Sequence, residues 1–249
     1  MSAVDPDHSV LLLGGTGRTG GRVLAQLLER RVPVRAIVRS AKRLPAVMSN
    51  ESLLDVVEAD VLSMTPEALQ GHLEGYDTVI SCLGHNTNLR GLFAPPFNIV
   101  SGAVANVART IDAMHPSRPV RFILMSTVAA NVPGTAEAVR GAGQRLFLGI
   151  LRAVLPPARD NQRAADFLMR EIGPGNPAVE WVAVRPDTLV EGDVTDYHLH
   201  DELVSSIFKA DDTNMANVAH FMCELACDDG TWKRWRGRMP VIVNAGTKA

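Results

Sequence analysis

The chain has 249 residues, of which 46% are hydrophobic, and a formal net charge of −2 at pH 7. It is therefore long enough to bury a substantial core, and its balanced charge gives no reason to expect nucleic acid or an anionic membrane as a partner. No apolar run reaches the length of a membrane span, residues 1–8 lack the features of a signal peptide, and the three cysteines form no CxxC pair. We expect one cytoplasmic domain over residues 1–249, without a disulfide framework or a metal site.

A glycine-rich turn follows the first apolar run. Residues 10–13 predict a strand, and residues 22–31 repeat apolar side chains with helical period. Glycine permits a tight turn and close approach of a ligand, and the free N–H groups at the start of a helix attract a phosphate. A second apolar run at 32–38 completes a βαβ unit, which favours a pyrophosphate site over a glycine turn without a ligand. The candidate residues are Gly14, Gly15, Thr16, Gly17, Arg18, Thr19 and Gly20.

The end of the second predicted strand, residues 34–39, is basic. Arg39 is followed by Ser40, Lys42 and Arg43. In dinucleotide-binding folds an acidic residue about 20 positions after the glycines binds the adenosine ribose, whereas a cation there accommodates a 2′-phosphate. A guanidinium can bind that phosphate through paired, charge-assisted hydrogen bonds. The position favours NADP(H) as cofactor, and the alternative is a solvated basic turn.

Two further strands end in candidate ligand contacts. Residues 53–58 predict the third strand and residues 77–83 the fourth. The carboxylate after the third strand could accept a hydrogen bond from the adenine amino group, or it could serve as a turn or cap residue before a short helix at 64–73. A glycine after the fourth strand would let adenosine or ribose approach the backbone closely. The contacts proposed here are Asp60, Val61, Leu83 and Gly84.

The fifth strand carries hydroxyl groups at its carboxyl end. A long helix is predicted over 97–114 and the strand over 120–127, which ends in Ser126 and Thr127. These hydroxyls could hydrogen-bond a substrate carbonyl or a nicotinamide, or they could satisfy nearby backbone groups.

The remainder of the chain predicts a substrate-side lobe, built from about 129–157 and 187–213. Within it, the apolar segment 145–155 either covers the substrate crevice as a lid or forms an oligomer contact. Helices are predicted at 158–172 and 214–226, and strands at 179–184 and 241–244.

Two other clusters suggest sites only weakly. His198 and His200 alternate on an extended segment, but no further ligand with suitable spacing accompanies them, so we expect no metal site. Residues 232–238 mix basic and aromatic side chains, and in a chain of near-neutral charge this composition favours a surface patch on a turn over a nucleic-acid site.

These motifs together resemble the atypical short-chain dehydrogenase/reductases, in the NAD(P)H-binding group that includes NmrA-like regulators and the biliverdin-IXβ and flavin reductases. The matching stretches follow one another in the expected order over most of the chain. They are the glycine turn at 14–20, Val38-Arg39-Ser40, Asp60-Val61, residues 79–84 and 122–127, and Arg185-Pro186.

The resemblance implies a single-domain α/β Rossmann fold, whose doubly wound parallel sheet has the strand order 3-2-1-4-5-6-7 and is flanked by helices. It also implies that NADP(H) lies across the carboxyl edges of the strands, with Ser126 or Thr127 near the nicotinamide and Pro186 against that ring. Ser126 is thereby the candidate catalytic residue. The implied cofactor contacts beyond the glycine turn are Arg39, Ser40, Arg43, Asp60, Val61, Leu83, Gly84, Ser126, Thr127 and Pro186.

The chain departs from the family at the proton donor. Reductases of the wider family use a tyrosine and a lysine four residues later, on the helix before the sixth strand. If Asp166 is the acidic residue of that helix, Ala158 and Gln162 occupy these two positions. The chain has two tyrosines, Tyr76 and Tyr197, and neither is followed four residues later by a lysine.

Two functions follow from this combination. The first is an NADPH-dependent reductase without the tyrosine, acting on a flat, conjugated small molecule such as a flavin, a quinone or an enone, as a monomer or homodimer. The second is an NmrA-like sensor that binds NADP(H) without turnover and presents the 146–155 face and the 232–238 patch to a partner. Epimerase-like chemistry is a further alternative.

Overall fold

The fold was analysed in a computed structural model, which describes residues 8–45, 51–85, 95–132, 141, 143, 149–150, 155–205 and 210–246. In this part of the chain the strands are β1 (Val10–Leu13), β2 (Val34–Val38), β3 (Leu54–Glu58), β4 (Thr78–Ser81), β5 (Val120–Met125), β6 (Val179–Pro186), β7 (Thr188–Val190), β8 (Tyr197–His200), β9 (Asp212–Asn214) and β10 (Val241–Asn244).

The helices are α1 (Arg18–Glu29), α2 (Pro66–Leu73), α3 (Ile99–Met114), α4 (Pro156–Asp166), α5 (Met215–Cys227) and α6 (Asp229–Trp235). A 3₁₀ turn covers Ala41–Arg43, and a π-helical turn, Phe167–Ile172, continues α4. Thr65 caps α2, since its hydroxyl accepts a hydrogen bond from the N–H of Ala68 at 3.3 Å, with Pro66 at the first helical position.

The main sheet has the order β3-β2-β1-β4-β5-β6-β10-β8. The first seven strands of that list are parallel, which confirms the predicted order, because β10 is the predicted seventh strand. An eighth strand that was not predicted, β8, extends the sheet and pairs antiparallel with β10. This edge strand contains the two alternate histidines of the sequence, and β7 and β9 form a separate parallel pair.

Helices cover both faces of the sheet, as a doubly wound fold requires. The side chains of β1 alternate between two cores: Leu11 and Leu13 pack with α2, α3 and α4, while Val10 and Leu12 pack with α1, α5 and α6. The carboxyl ends of the parallel strands therefore form one edge, at which the loops to the helices gather.

The 232–238 cluster is not a surface turn: Trp232 and Trp235 lie on α6 and are 3% and 2% exposed in the core, while Lys233, Arg234 and Arg236 face solvent. The three-residue spacing places both tryptophans on one helix face, which composition alone does not reveal. The predicted apolar helix at 145–155 lies outside the described residues, apart from 149–150 and 155.

Candidate dinucleotide site

The glycine turn is closely packed against the neighbouring strand β4. Gly14 has φ +81°, and a Cβ there would lie 2.7 Å from the carbonyl of Cys82. A Cβ on Gly20 would lie 2.1 Å from the carbonyl oxygen of Gly14, which is closer than any real contact. The sequence places glycine where no other side chain fits, and this is why the turn can fold so tightly.

Helix α1 begins inside the glycine motif, four residues before the predicted start of the helix. Gly17 is its N-cap, supplies no side-chain hydrogen bond, and no acidic residue occupies the first turn. The first N–H groups of the helix therefore have no capping side chain, and the positive end of the helix dipole faces the same space. This is the geometry that binds a phosphate.

A cavity opens from this turn along the carboxyl ends of β1, β2, β3 and β4. Many of the predicted contacts line it: Gly14, Thr16, Gly17, Arg39, Arg43, Asp60, Val61, Leu83 and Gly84. Its remaining lining residues were not predicted and are Leu13, Ile37, Val38, Ala59, Leu62, Cys82, Pro96 and Ile99. Most of these side chains are apolar. In the sequence they cannot be distinguished from residues that only pack in the core.

The basic turn after β2 is held in place by an acid of the next strand. The backbone N–H of Ala41 donates to Glu58 Oε2 at 2.8 Å, which orients the 3₁₀ turn. Arg39, Lys42 and Arg43 are exposed, and none of them forms an ion pair with a described carboxylate. Arg39 and Arg43 line the cavity, and no described carboxylate neutralises their charge.

Asp60 has the turn role that one of the two alternatives drawn from the sequence predicts. Its Oδ1 accepts a hydrogen bond from the N–H of Leu62 at 3.0 Å, and its backbone carbonyl accepts from the hydroxyl of Ser63 at 3.0 Å. The residue is therefore a turn residue after β3. It also lines the cavity, and a carboxylate has a second oxygen that can accept a hydrogen bond, so the contact with adenine stays a prediction.

The other predicted contacts lie outside the cavity lining. Gly15, Thr19 and Gly20 are buried within the turn, Arg18 is exposed at the start of α1, and Ser40 precedes the 3₁₀ turn. Ser126, Thr127 and Pro186 gather separately at the carboxyl edge of β5 and β6: the N–H of Ser126 donates to Val184 O at 2.8 Å, and the N–H of Val128 donates to Pro186 O at 3.1 Å.

The side chain of Ser126 is 6% exposed, and its hydroxyl has no hydrogen-bond partner within the described residues. The hydroxyl of Thr127 instead accepts from the N–H of Ala129 at 3.3 Å. Of the two alternatives drawn from the sequence, backbone satisfaction fits Thr127, whereas Ser126 keeps an uncommitted hydroxyl.

Gln162 of α4, at the position expected for the lysine of the wider family, binds the loop after β5. Its Oε1 accepts from the N–H of Asn131 at 2.8 Å, and its Nε2 donates to Asn131 O at 3.2 Å and to Asp166 Oδ1 at 3.0 Å. The two tyrosines lie elsewhere: Tyr76 precedes β4 at the opposite edge of the sheet, and Tyr197 begins β8 with its hydroxyl 2.9 Å from Nδ1 of His220.

A buried pair that the sequence analysis missed connects the end of β4 to α4. Nε2 of His85 lies 2.9 Å from Oδ2 of Asp160, and the two side chains are 3% and 0% exposed. Seventy-five positions separate the partners, so no local pattern could have indicated the contact. Burial raises the pKa of the Cys82 thiol, beneath the glycine turn, to about 12, which disfavours the thiolate form.

No described helix has the length and apolarity needed to cross a membrane. Among the described side chains, no group of three or more His, Cys, Asp and Glu residues is placed to hold a metal ion. The ring centroids of His198 and His200 lie 6.2 Å apart on β8.

Comparison with solved structures agrees with this fold. The oxidoreductase ylbE from Lactococcus lactis superposes with a TM-score of 0.69 at 22% identity, over 96% of this chain and 92% of that one. The anaerobilin reductase ChuY from Escherichia coli O157:H7 gives 0.66 at 15% identity, over 97% and 99%. A short-chain dehydrogenase/reductase from Veillonella parvula, solved in complex with NADP, gives 0.67 at 12% identity, with 97% of each chain covered.

Comparison with known sequences identifies the family. An uncharacterized chloroplastic protein of Arabidopsis thaliana is 26% identical over 197 residues, covering 75% of this chain and 67% of its own. The chloroplastic protein TIC 62 of the same plant is 26% identical over 157 residues, covering 57% of this chain and only 23% of its own length. A family model described as NAD(P)H-binding matches residues 14–229, from the glycine turn to the start of α6. By this match the chain belongs to the NAD(P)H-binding family, in agreement with its resemblance to the atypical short-chain dehydrogenase/reductases.

Proposed function

We propose that the protein is an NADPH-dependent reductase of a flat, conjugated small molecule, such as a flavin, a quinone or an enone, and that it works without a tyrosine–lysine pair. The observation that carries this proposal is the buried, unpartnered hydroxyl of Ser126. A buried hydroxyl without a partner costs about 1–3 kcal/mol, so a ligand that hydrogen-bonds it recovers that free energy. Ser126 lies directly after β5, at the edge where open α/β sheets bind their ligands.

The described residues fit NADP(H). The glycine turn and the start of α1 offer backbone N–H groups to the pyrophosphate, and Arg39 and Arg43 offer guanidinium groups to a 2′-phosphate. Asp60 offers a carboxylate oxygen to adenine. When bound, the cofactor supplies the hydride.

The chain itself would then hold and orient the acceptor. The hydroxyl of Ser126 donates a hydrogen bond to a carbonyl oxygen of the acceptor, where negative charge grows during reduction. The loop that follows Ser126 is fixed at Asn131 by the side-chain amide of Gln162. Placing the acceptor in this way provides most of what hydride transfer requires of a protein, and water protonates the product.

The proposal is tested by turnover. Purified protein is mixed with NADPH and a panel of flavins, quinones and conjugated carbonyls, and oxidation is followed at the absorbance band of reduced nicotinamide. We expect oxidation with at least one class. Tight NADPH binding without any oxidation, together with recovery of a specific protein partner, would instead support the sensor alternative.

The role of Ser126 is tested by Ser126→Ala, which we expect to lower kcat about 100-fold while NADPH affinity is retained. Because the hydroxyl has no partner in the described structure, the substitution is not expected to lower the melting temperature of the free protein. Ser81→Ala is the matched control, since it removes another buried, unpartnered hydroxyl from β4. Equal turnover by Ser126→Ala and wild type would remove Ser126 from the mechanism.

A further inference from the structure

Asp160 binds four hydrogen-bond donors with its two oxygens. Oδ2 accepts from the N–H of Val100 at 2.8 Å and lies 2.9 Å from Nε2 of His85. Oδ1 accepts from the N–H of Ser101 at 3.0 Å and from the hydroxyl of the same residue. The residue is 1% exposed, on the middle of α4.

The donors belong to two segments that line the cavity, the end of β4 and the start of α3. His85 directly follows Gly84, which lines the cavity at the end of β4, and Val100 directly follows Ile99, which lines it at the start of α3. Pro96 lines the cavity on the same side as Ile99. A single carboxylate on a third element therefore fixes the distance between the end of β4 and the start of α3.

The carboxylate is kept ionised by these contacts. Burial raises the pKa of Asp160, but the hydrogen bonds from His85, Ser101 and Val100 outweigh it and leave the pKa below its ordinary value. A buried, ionised group with every partner in place is rigid, and removing one partner is costly because the charge stays buried.

We propose that Asp160 and His85 are positioning residues for the dinucleotide: by joining the end of β4 to the start of α3, they set the width of the cavity that receives its adenosine half. This role does not depend on whether the protein reduces a substrate. It requires only that the cavity holds the dinucleotide of the NAD(P)H-binding family, with adenosine placed beside Arg39, Asp60 and Gly84 as proposed above. The helix on which the wider family carries its proton donor here supports cofactor binding instead.

The proposal is tested by calorimetric titration with NADPH and with adenosine 2′,5′-bisphosphate, which contains only the adenosine half. We expect Asp160→Asn to lower the affinity for both ligands about 10-fold, because an amide cannot replace the charge or accept all four hydrogen bonds. His85→Leu should lower the affinity for both ligands by about the same factor. His85→Gln should stay within about 3-fold of wild type, because the glutamine Nε2 can donate to Asp160 as the histidine Nε2 does.

Asp77→Asn is the control. Asp77 is a half-buried carboxylate at the other end of β4, where it accepts from Ser9 and Thr78, and we expect it to leave both affinities unchanged. If wild type binds NADPH but not adenosine 2′,5′-bisphosphate, the placement of adenosine is wrong and the proposal fails with it.

Rescue distinguishes positioning from a general loss of structure. If Asp160→Asn does not fold, the two His85 variants decide: equal affinity of His85→Leu and wild type overturns the proposal, as does a loss in His85→Gln as large as that in His85→Leu. If Asp160→Asn folds and binds both ligands like wild type, the proposal is also overturned. Weakening by Asp160→Asn and His85→Leu, with recovery in His85→Gln, supports it.

Discussion

The amino-terminal and carboxyl-terminal parts of the chain are held in place by different kinds of contact at the carboxyl ends of the strands. From β1 to β3 the site consists of short backbone stretches, in which the glycine turn, the basic turn and Asp60 each follow a strand directly. From β6 to β10 the chain is held by side chains distant in sequence. The buried guanidinium of Arg185, for example, donates from Nε to Met239 O at 2.8 Å and from its other nitrogens to carbonyls of Ala130 and Asp201.

This difference explains which part can be interpreted from sequence. A tight turn that brings the backbone close to a phosphate leaves no room for a side chain. Glycine is therefore required there, and its spacing can be recognised in the sequence. A hydrogen-bond network between side chains far apart in sequence has no fixed spacing along the chain, so no sequence motif indicates it. The comparison predicts that substitutions between β1 and β3 change cofactor binding most, whereas those between β6 and β10 mainly change the free energy of unfolding.

The largest expected effect is at Gly20. Gly20→Ala places a methyl group 2.1 Å from the carbonyl oxygen of Gly14, so the turn must open. We expect NADPH affinity to fall by about 100-fold or more, with a loss of stability of about 3 kcal/mol. Calorimetric titration and urea unfolding measure the two quantities. Gly71→Ala on α2 is the control, since a Cβ there meets nothing within 4 Å, and retained NADPH binding by Gly20→Ala would show that the tight turn is not required.

An effect on cofactor choice alone, without the loss of stability, is expected at Arg39, which carries the proposed preference for NADP(H). Arg39→Asp replaces a guanidinium in the cavity by a carboxylate that repels a 2′-phosphate and can bind a ribose hydroxyl. We expect the ratio of NADPH to NADH affinity to fall about 100-fold, a value typical of losing a charge-assisted, bidentate contact. Lys42→Asp makes the same charge change on the same turn outside the cavity lining, so it should alter the ratio far less. An unchanged ratio in Arg39→Asp would refute the proposed role of the basic turn.

The sequence predicted most of the fold for reasons of periodicity. Apolar runs predicted the seven parallel strands, and the short helix predicted at 64–73 is observed as α2, from Pro66 to Leu73. The eighth strand could not be predicted, because Tyr197–His200 is short, half-polar and pairs antiparallel at an edge. In the site, residues that shape the backbone were found. The His85–Asp160 pair was not, because its partners lie after β4 and on α4, 75 positions apart, and meet only in the folded chain.

The smallest expected change in cofactor binding comes from the carboxyl-terminal part, at Asn217 of α5. This side chain is fully buried: its Oδ1 accepts from the N–H of Thr195 at 2.8 Å, and its Nδ2 donates to Thr195 Oγ1 at 3.0 Å and to Asn244 Oδ1 at 2.8 Å. Asn217→Ala removes three hydrogen bonds that a fully buried side chain makes, so we expect a loss of about 2 kcal/mol in the free energy of unfolding. NADPH affinity should stay within about 2-fold of wild type, since an uncoupled site away from the cavity contributes nothing to binding.

Asn161→Ala is the control for this substitution, because Asn161 makes one local bond, to Pro157 O at 3.0 Å, and alanine favours the helix. Its stability should change by no more than about 0.5 kcal/mol in urea unfolding. If Asn217→Ala instead weakened NADPH binding as strongly as it destabilised the protein, the two parts of the chain would be coupled. The carboxyl-terminal networks would then belong to the cofactor site, because a network that only supports the fold changes the unfolding equilibrium and leaves the affinity of the folded state unaltered.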